Sequence, residues 1–156
     1  TAAPVGWPSS RVLAAIDLGR DAVHDVAAAA DVARWFALPL SLVHVVEHTR
    51  LPGWLSLKPA RHDKERGNQA RLRLSKLAKT AVPEGSADVH VLVGEPAEQI
   101  ANLATELRAD LLVVTMRGDD RLFGDRKGAT TYRVVQEAGK PILAVPAGWR
   151  LGPADR

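Results

Sequence analysis

Arg11-Val-Leu-Ala-Ala-Ile-Asp-Leu-Gly-Arg20-Asp-Ala-Val-His-Asp-Val-Ala-Ala-Ala-Ala30-Asp-Val-Ala-Arg-Trp-Phe-Ala-Leu-Pro-Leu40-Ser-Leu-Val-His-Val-Val46 holds two short apolar runs separated by an alanine-rich stretch. The runs at 11–17 and 40–46 are continuously apolar rather than alternating, as a parallel strand covered on both faces requires. Between them Val23, Val26, Ala27, Ala30, Ala33 and Trp35 recur mostly three or four residues apart. That period predicts a helix over 21–36 with Trp35 on its core face and Asp21 as its cap. Together the three segments make one βαβ unit.

The same alternation continues downstream. Residues 88–93, 110–115 and 141–146 read as strands, 96–107 and 130–138 as helices, and Pro96 suits a first helical turn. Leu51 to Gly67 reads as a Pro-, Gly- and charge-rich excursion, followed by a surface helix over 68–80 that carries Leu72, Leu74, Leu77 and Ala78 among basic residues. Five strands alternating with four helices imply an α/β fold with right-handed crossovers: an open five-stranded parallel sheet, flavodoxin-like or Rossmann-like, with helices on both faces. The order is 2-1-3-4-5 or 3-2-1-4-5, and we adopt the second. Its ligand crevice then lies beyond the carboxyl ends of the first and fourth strands, where the winding reverses. Residues 11–147 form the domain, 1–10 a linker or trimmed terminus, and 148–156 a C-terminal tail.

Composition sets the outer limits. The 156 residues suit one domain, with 46% hydrophobic and 25% charged residues, neither a disordered nor a membrane profile. No apolar run approaches the length of a bilayer span. Cysteine is absent, which removes disulfides and thiolate chemistry and fits a reducing compartment, so the cytoplasm is the expected location. The net charge of +3 is spread among Asp and Glu along most of the chain, so no nucleic-acid footprint is expected. Thr1 to Ser10 shows neither a basic region nor the apolar core of a signal peptide.

The chemistry-bearing segment runs Val113-Val-Thr-Met-Arg-Gly-Asp-Asp-Arg-Leu-Phe-Gly-Asp-Arg-Lys-Gly-Ala-Thr-Thr-Tyr-Arg-Val-Val135, a strand, a loop with three glycines and a helix. Glycines admit phosphate oxygens to backbone amides, and a helix N-terminus adds unpaired N–H groups and a positive dipole end. Arg117, Arg121, Arg126 and Lys127 add positive charge, partly offset by Asp119, Asp120 and Asp125. The plainer reading of these glycines is a loop that simply starts a helix.

This segment resembles the universal stress protein signature G-x2-G-x9-G-[ST]. Gly118 and Gly128 have nine residues between them, as its second and third glycines do, while Thr115 replaces the first glycine and Ala129 the closing Ser or Thr. The runs 11–17 and 44–46 resemble the family's opening, and 138–146 its closing strand. The resemblance implies that Asp17 contacts a nucleotide, that Val45 meets the adenine, and that Thr115, Gly118, Gly128, Ala129 and Thr130 occupy the phosphate-loop positions. The implied ligand is ATP or another adenine nucleotide, with or without Mg. It also implies a homodimer formed through residues 141–146 at the sheet edge.

Other constellations offer less. Of the five histidines only His44 and His48 have the i, i+4 spacing of a zinc pair, and they flank a strand end rather than share a helix face, so no metal site is expected. No nucleophile elbow or GxxxxGK[ST] loop is present, which leaves Asp17 as the sole general-base candidate for any weak ATPase; the chain is read as a non-enzyme. Trp7, Trp54 and Trp149 fall in irregular segments, as interface anchors or as covers of the sheet edge. The leading expectation is a regulatory nucleotide-binding domain in a stress response. The alternatives are a nucleotide-free dimeric interaction module with an unknown protein partner, or a regulatory domain of a tandem or larger protein.

Overall fold

The computed structural model describes residues 10–48, 59–82, 87–116, 133, 139–150 and 152, without the side chains of 59 and 60. Five strands are formed: β1 (Val12–Ala15), β2 (Leu40–Val46), β3 (Asp88–Val93), β4 (Leu111–Met116) and β5 (Ile142–Pro146). They make one parallel sheet in the order β3-β2-β1-β4-β5. Among the described residues three helices follow β1, β2 and β3 in turn: α1 (Ala22–Trp35), α2 (Pro59–Ala81) and α3 (Pro96–Glu106).

The continuously apolar strands divide their side chains between two layers, as strand alternation demands. Val12, Ala14, Ile16, Leu40, Leu42, Leu111, Val113 and Val145 pack under α1 and under Leu74 and Ala78 of α2. Leu13, Val43 and Leu112 point the other way, onto Ala97, Ile100, Leu103 and Ala104 of α3. Helices on both faces explain why polar residues scarcely interrupt these strands.

Three features differ from the sequence reading. The helix expected over 68–80 begins at Pro59, so most of the apparent excursion is helical. Proline is tolerated in a first helical turn, and the charged residues that suggested a loop are good helix formers. Trp35 is 61% exposed and Val23 is exposed too, because α1 buries a face of small residues, Ala22, Val26, Ala29 and Ala33 among them. An alanine-rich helix has little apolar contrast from which to choose its inner face. Asp21 occupies the N-cap position without a side-chain cap bond; its carbonyl instead accepts from the N–H groups of His24 and Asp25.

The helix expected over 130–138 lies outside the described residues except at Arg133, which is helical, and Trp7 and Trp54 lie outside them as well. Trp149 is half-buried against the α1 and α2 layer, a cover within one chain. It is held there by Arg150, whose Nε donates to the buried Asp31 Oδ2 at 2.7 Å while Arg34 Nη2 donates to Oδ1 at 3.1 Å. The Asp31 hydrogen bond, then its charge, hold the Arg150 guanidinium above its ordinary pKa. At the amino ends of the strands Arg11 Nη1 donates to Ser41 Oγ at 2.7 Å and Asp88 Oδ2 at 2.6 Å, clasping β1, β2 and β3.

Candidate functional site

The winding of the sheet reverses between β1 and β4, whose last paired residues are Ala15 and Val114. Beyond them Asp17 stands exposed, and Thr115 lies half-buried in β4 opposite Val145 of β5. Chain crossovers leave such a switch point open at the carboxyl ends of the strands.

The peptide that carries Asp17 is anchored from β2. Ile16 N–H donates to Val43 O at 2.8 Å, and His44 Nδ1 donates to Ile16 O at 2.8 Å. A carbonyl oxygen only accepts, so this bond fixes the Nδ1–H form of the ring. Two residues after Asp17, Gly19 O accepts from Arg73 Nη2 of α2 at 3.2 Å. The β1–α1 turn is thus held by a strand on one side and a helix on the other, and the direction in which Asp17 leaves the sheet is set by both.

The upper end of α2 is fastened beside β2. His48 Nδ1 donates to the buried Asp63 Oδ2 at 3.1 Å, and Arg66 Nη1 donates to Glu47 O at 3.1 Å while lying 3.6 Å from Asp63 Oδ1. Across the sheet, Gly94 N–H donates to Val46 O at 3.0 Å, and Glu95 caps α3 by accepting from Glu98 N–H at 3.0 Å. Arg133 Nη1 lies 3.1 Å from Glu95 Oε1, which brings Arg133 to the start of α3.

Of the seven residues singled out from sequence, Asp17, Val45 and Thr115 are described, at the carboxyl ends of β1, β2 and β4. Val45 is half-buried in the α3 layer with Ala15 and Leu92, so much of its side chain serves packing. Gly118, Gly128, Ala129 and Thr130 lie outside the described residues. His44, Arg66 and Arg73 are the positioning residues that sequence reasoning missed. A polar His44 within an apolar strand was the one available signal; nothing in the sequence marked the two arginines apart from their neighbours. Among the described residues no three His, Asp or Glu side chains gather as a metal would require. The described crevice offers a carboxylate acceptor on an anchored turn beside a half-buried apolar wall, an arrangement suited to the hydroxyls and flat face of a nucleoside.

The sequence model described as the universal stress protein family matches residues 8–146. Universal stress protein A homolog 1 of Coxiella burnetii (strain RSA 493 / Nine Mile phase I) is 34% identical over 141 residues, covering 86% of this chain and 94% of its own. Among solved structures, a universal stress protein in complex with cAMP is similar with a TM-score of 0.63 at 19% identity, over 88% of this chain and 97% of its own. The universal stress protein from Archaeoglobus fulgidus in complex with dAMP gives 0.52 at 22% identity, over 87% and 97%. At these identities the structural likeness bears on the fold.

Proposed function

Since the chain belongs to the universal stress protein family, we propose that it is a regulatory domain that binds an adenine nucleotide in the crevice between β1 and β4 and passes the bound state to a partner. The observation that carries this reading is the exposed Asp17 on a turn held by His44 and Arg73 at the switch point of the sheet. Two structures of like fold have adenine nucleotides as ligands, cAMP in one and dAMP in the other, which supports the ligand class.

The described residues fit the nucleoside half of such a ligand. Asp17 would accept from the ribose hydroxyls and Val45 would border the base, while the phosphates would fall to amides around Gly118, Gly128 and Ala129, with Thr130 as a hydroxyl one residue beyond the family position. ATP, with or without Mg, is the form we favour. No bond is broken in this reading, and we assign the chain no enzymatic turnover. Its setting would be the cytoplasm, in keeping with a chain devoid of cysteine. Gly118→Val and Gly128→Val should each weaken ATP binding at least tenfold, because a side chain bars phosphate from the amides. Unchanged affinity in both would overturn the loop assignment.

A second reading is favoured by Thr115 and Ala129, which remove one glycine and one hydroxyl from the family motif. In it the domain is a nucleotide-free dimeric module. Both readings include a homodimer through β5, an edge strand on which Leu143, Ala144 and Pro146 are exposed.

A further inference from the structure

The positive charge of the chain is concentrated on one element, and its helical form gathers most of it on one face. Helix α2 carries seven Lys and Arg against two acids, a net +5, whereas the whole chain is +3. The remainder of the chain is therefore net −2, and the positive excess of the protein belongs to one helix. Leu74, Ala70 and Ala78 face the core and Asp63 is buried on the same side. Arg66 and Arg73 lie on a flank and are turned onto Glu47 O and Gly19 O. The other five, Arg61, Lys64, Arg71, Lys76 and Lys79, are exposed on the outer face. At about 100° per residue they fall within roughly 140° of arc, along about 27 Å of axis.

We propose that this outer face of α2 is a docking surface for double-helical nucleic acid, engaged through the phosphate backbone without regard to sequence. The make-up of the stripe distinguishes this occupant from others. Leu72, 74% exposed, is its sole large apolar residue, whereas a membrane-surface helix needs an apolar face to insert. Lysine is depleted and aromatic residues are enriched at protein interfaces, and the stripe has the reverse composition. It bears no aromatic side chain on which unpaired bases would stack, which favours a duplex over a single strand. Asn68 and Gln69, both exposed, supply the neutral donors that accompany Lys and Arg at phosphates. Glu65 is the one exposed acid along the helix. The proposal does not rest on the nucleotide site, because none of the five basic residues is among those assigned to it.

The test is fluorescence anisotropy of a labelled mixed-sequence duplex of about 20 base pairs with the full chain, repeated between 50 and 200 mM salt. Engagement of about four phosphates predicts an affinity loss of about a hundredfold across that range. The triple variant Lys64→Glu, Arg71→Glu, Lys79→Glu should bind at least tenfold more weakly at 50 mM salt and lose most of the salt dependence, with an unchanged circular dichroism spectrum. A charge-matched control, Arg20→Glu, Arg108→Glu, Lys140→Glu, should stay within about threefold of the unaltered chain. No duplex binding at 50 mM salt, equal weakening by both triple variants, or tighter binding to anionic phosphatidylserine vesicles or to polyglutamate would each overturn the proposal.

Discussion

At Gly94 the backbone holds φ at +149°, and a Cβ there would come within 3.0 Å of Gln99 Nε2. That conformation lets its N–H reach Val46 O before Glu95 caps α3. Gly94→Ala should therefore cost about 1–3 kcal/mol in urea unfolding, and an unchanged midpoint would show that the turn relaxes freely. Ala37 and Arg108 present the converse, with φ of +53° and +52° just after α1 and α3. Their N–H neighbours close the helix ends, Leu38 to Ala33 O and Ala109 to Ala104 O, in the positions that glycine usually takes. Ala37→Gly and Arg108→Gly should each raise stability by about 1 kcal/mol, measured by thermal melting. Sequence reading ended a strand at 93 and began a helix at Pro96, which leaves Gly94 in the connection between them. It passed over 37 and 108, since neither residue type advertises a left-handed backbone. At Asp17 the sequence supplied the position, and the fold added the two contacts, from His44 and Arg73, that orient its turn.

Among the elements, α1 and α2 show what patterning leaves open. The strands were readable almost to the residue, 40–46 and 88–93 without error, because apolar residues make up most of each run between polar or turn-forming flanks. In α1 the alanines gave a helix but no inner side. In α2 the charged first turns concealed nine helical residues, and tertiary bonds from Asp63 and Arg66 to the end of β2 now account for them. The interior contact that sets α2 on the sheet is Leu74, fully buried. On α1, the buried Asp31 joins Arg34 and Arg150, so the chain after β5 returns across the helix. Asp31→Ala removes the shared acceptor from two arginines and should cost about 1–3 kcal/mol in urea unfolding, less than a fully enclosed pair because both guanidiniums are largely in solvent. A loss below about 0.5 kcal/mol would mean that solvent already screens the pair.

Across the whole molecule, topology did most to connect sequence with site. Alternating strands and helices with right-handed crossovers narrow the order to 2-1-3-4-5 or 3-2-1-4-5, and the observed 3-2-1-4-5 sheet has residues 17, 45 and 115 at one end before any side chain is considered. The phosphate-loop assignment rests on the spacing of Gly118 and Gly128, which lie outside the described residues, and turns on the two substituted positions, whose effect depends on local backbone geometry that spacing does not encode. Topology also leaves β5 at an edge. Pro141 O accepts from Leu112 and Ala147 N–H donates to Met116 O, so alternation turns the peptide groups of Ile142 and Ala144 to the open side. Ala144→Pro thus removes an outward N–H while sparing the β4 ladder, and it should convert a dimer to a monomer in sedimentation. A dimer that survives with unchanged dissociation would move the interface elsewhere. The central claim, that the crevice between β1 and β4 holds an adenine nucleotide, is tested most directly by isothermal titration of ATP with and without magnesium, on protein first acid-extracted and chromatographed for retained ligand. Binding on the order of micromolar, or an extracted adenine nucleotide, is the predicted result. No heat of binding together with no extracted nucleotide would contradict it and leave the dimeric interaction module as the reading of this fold.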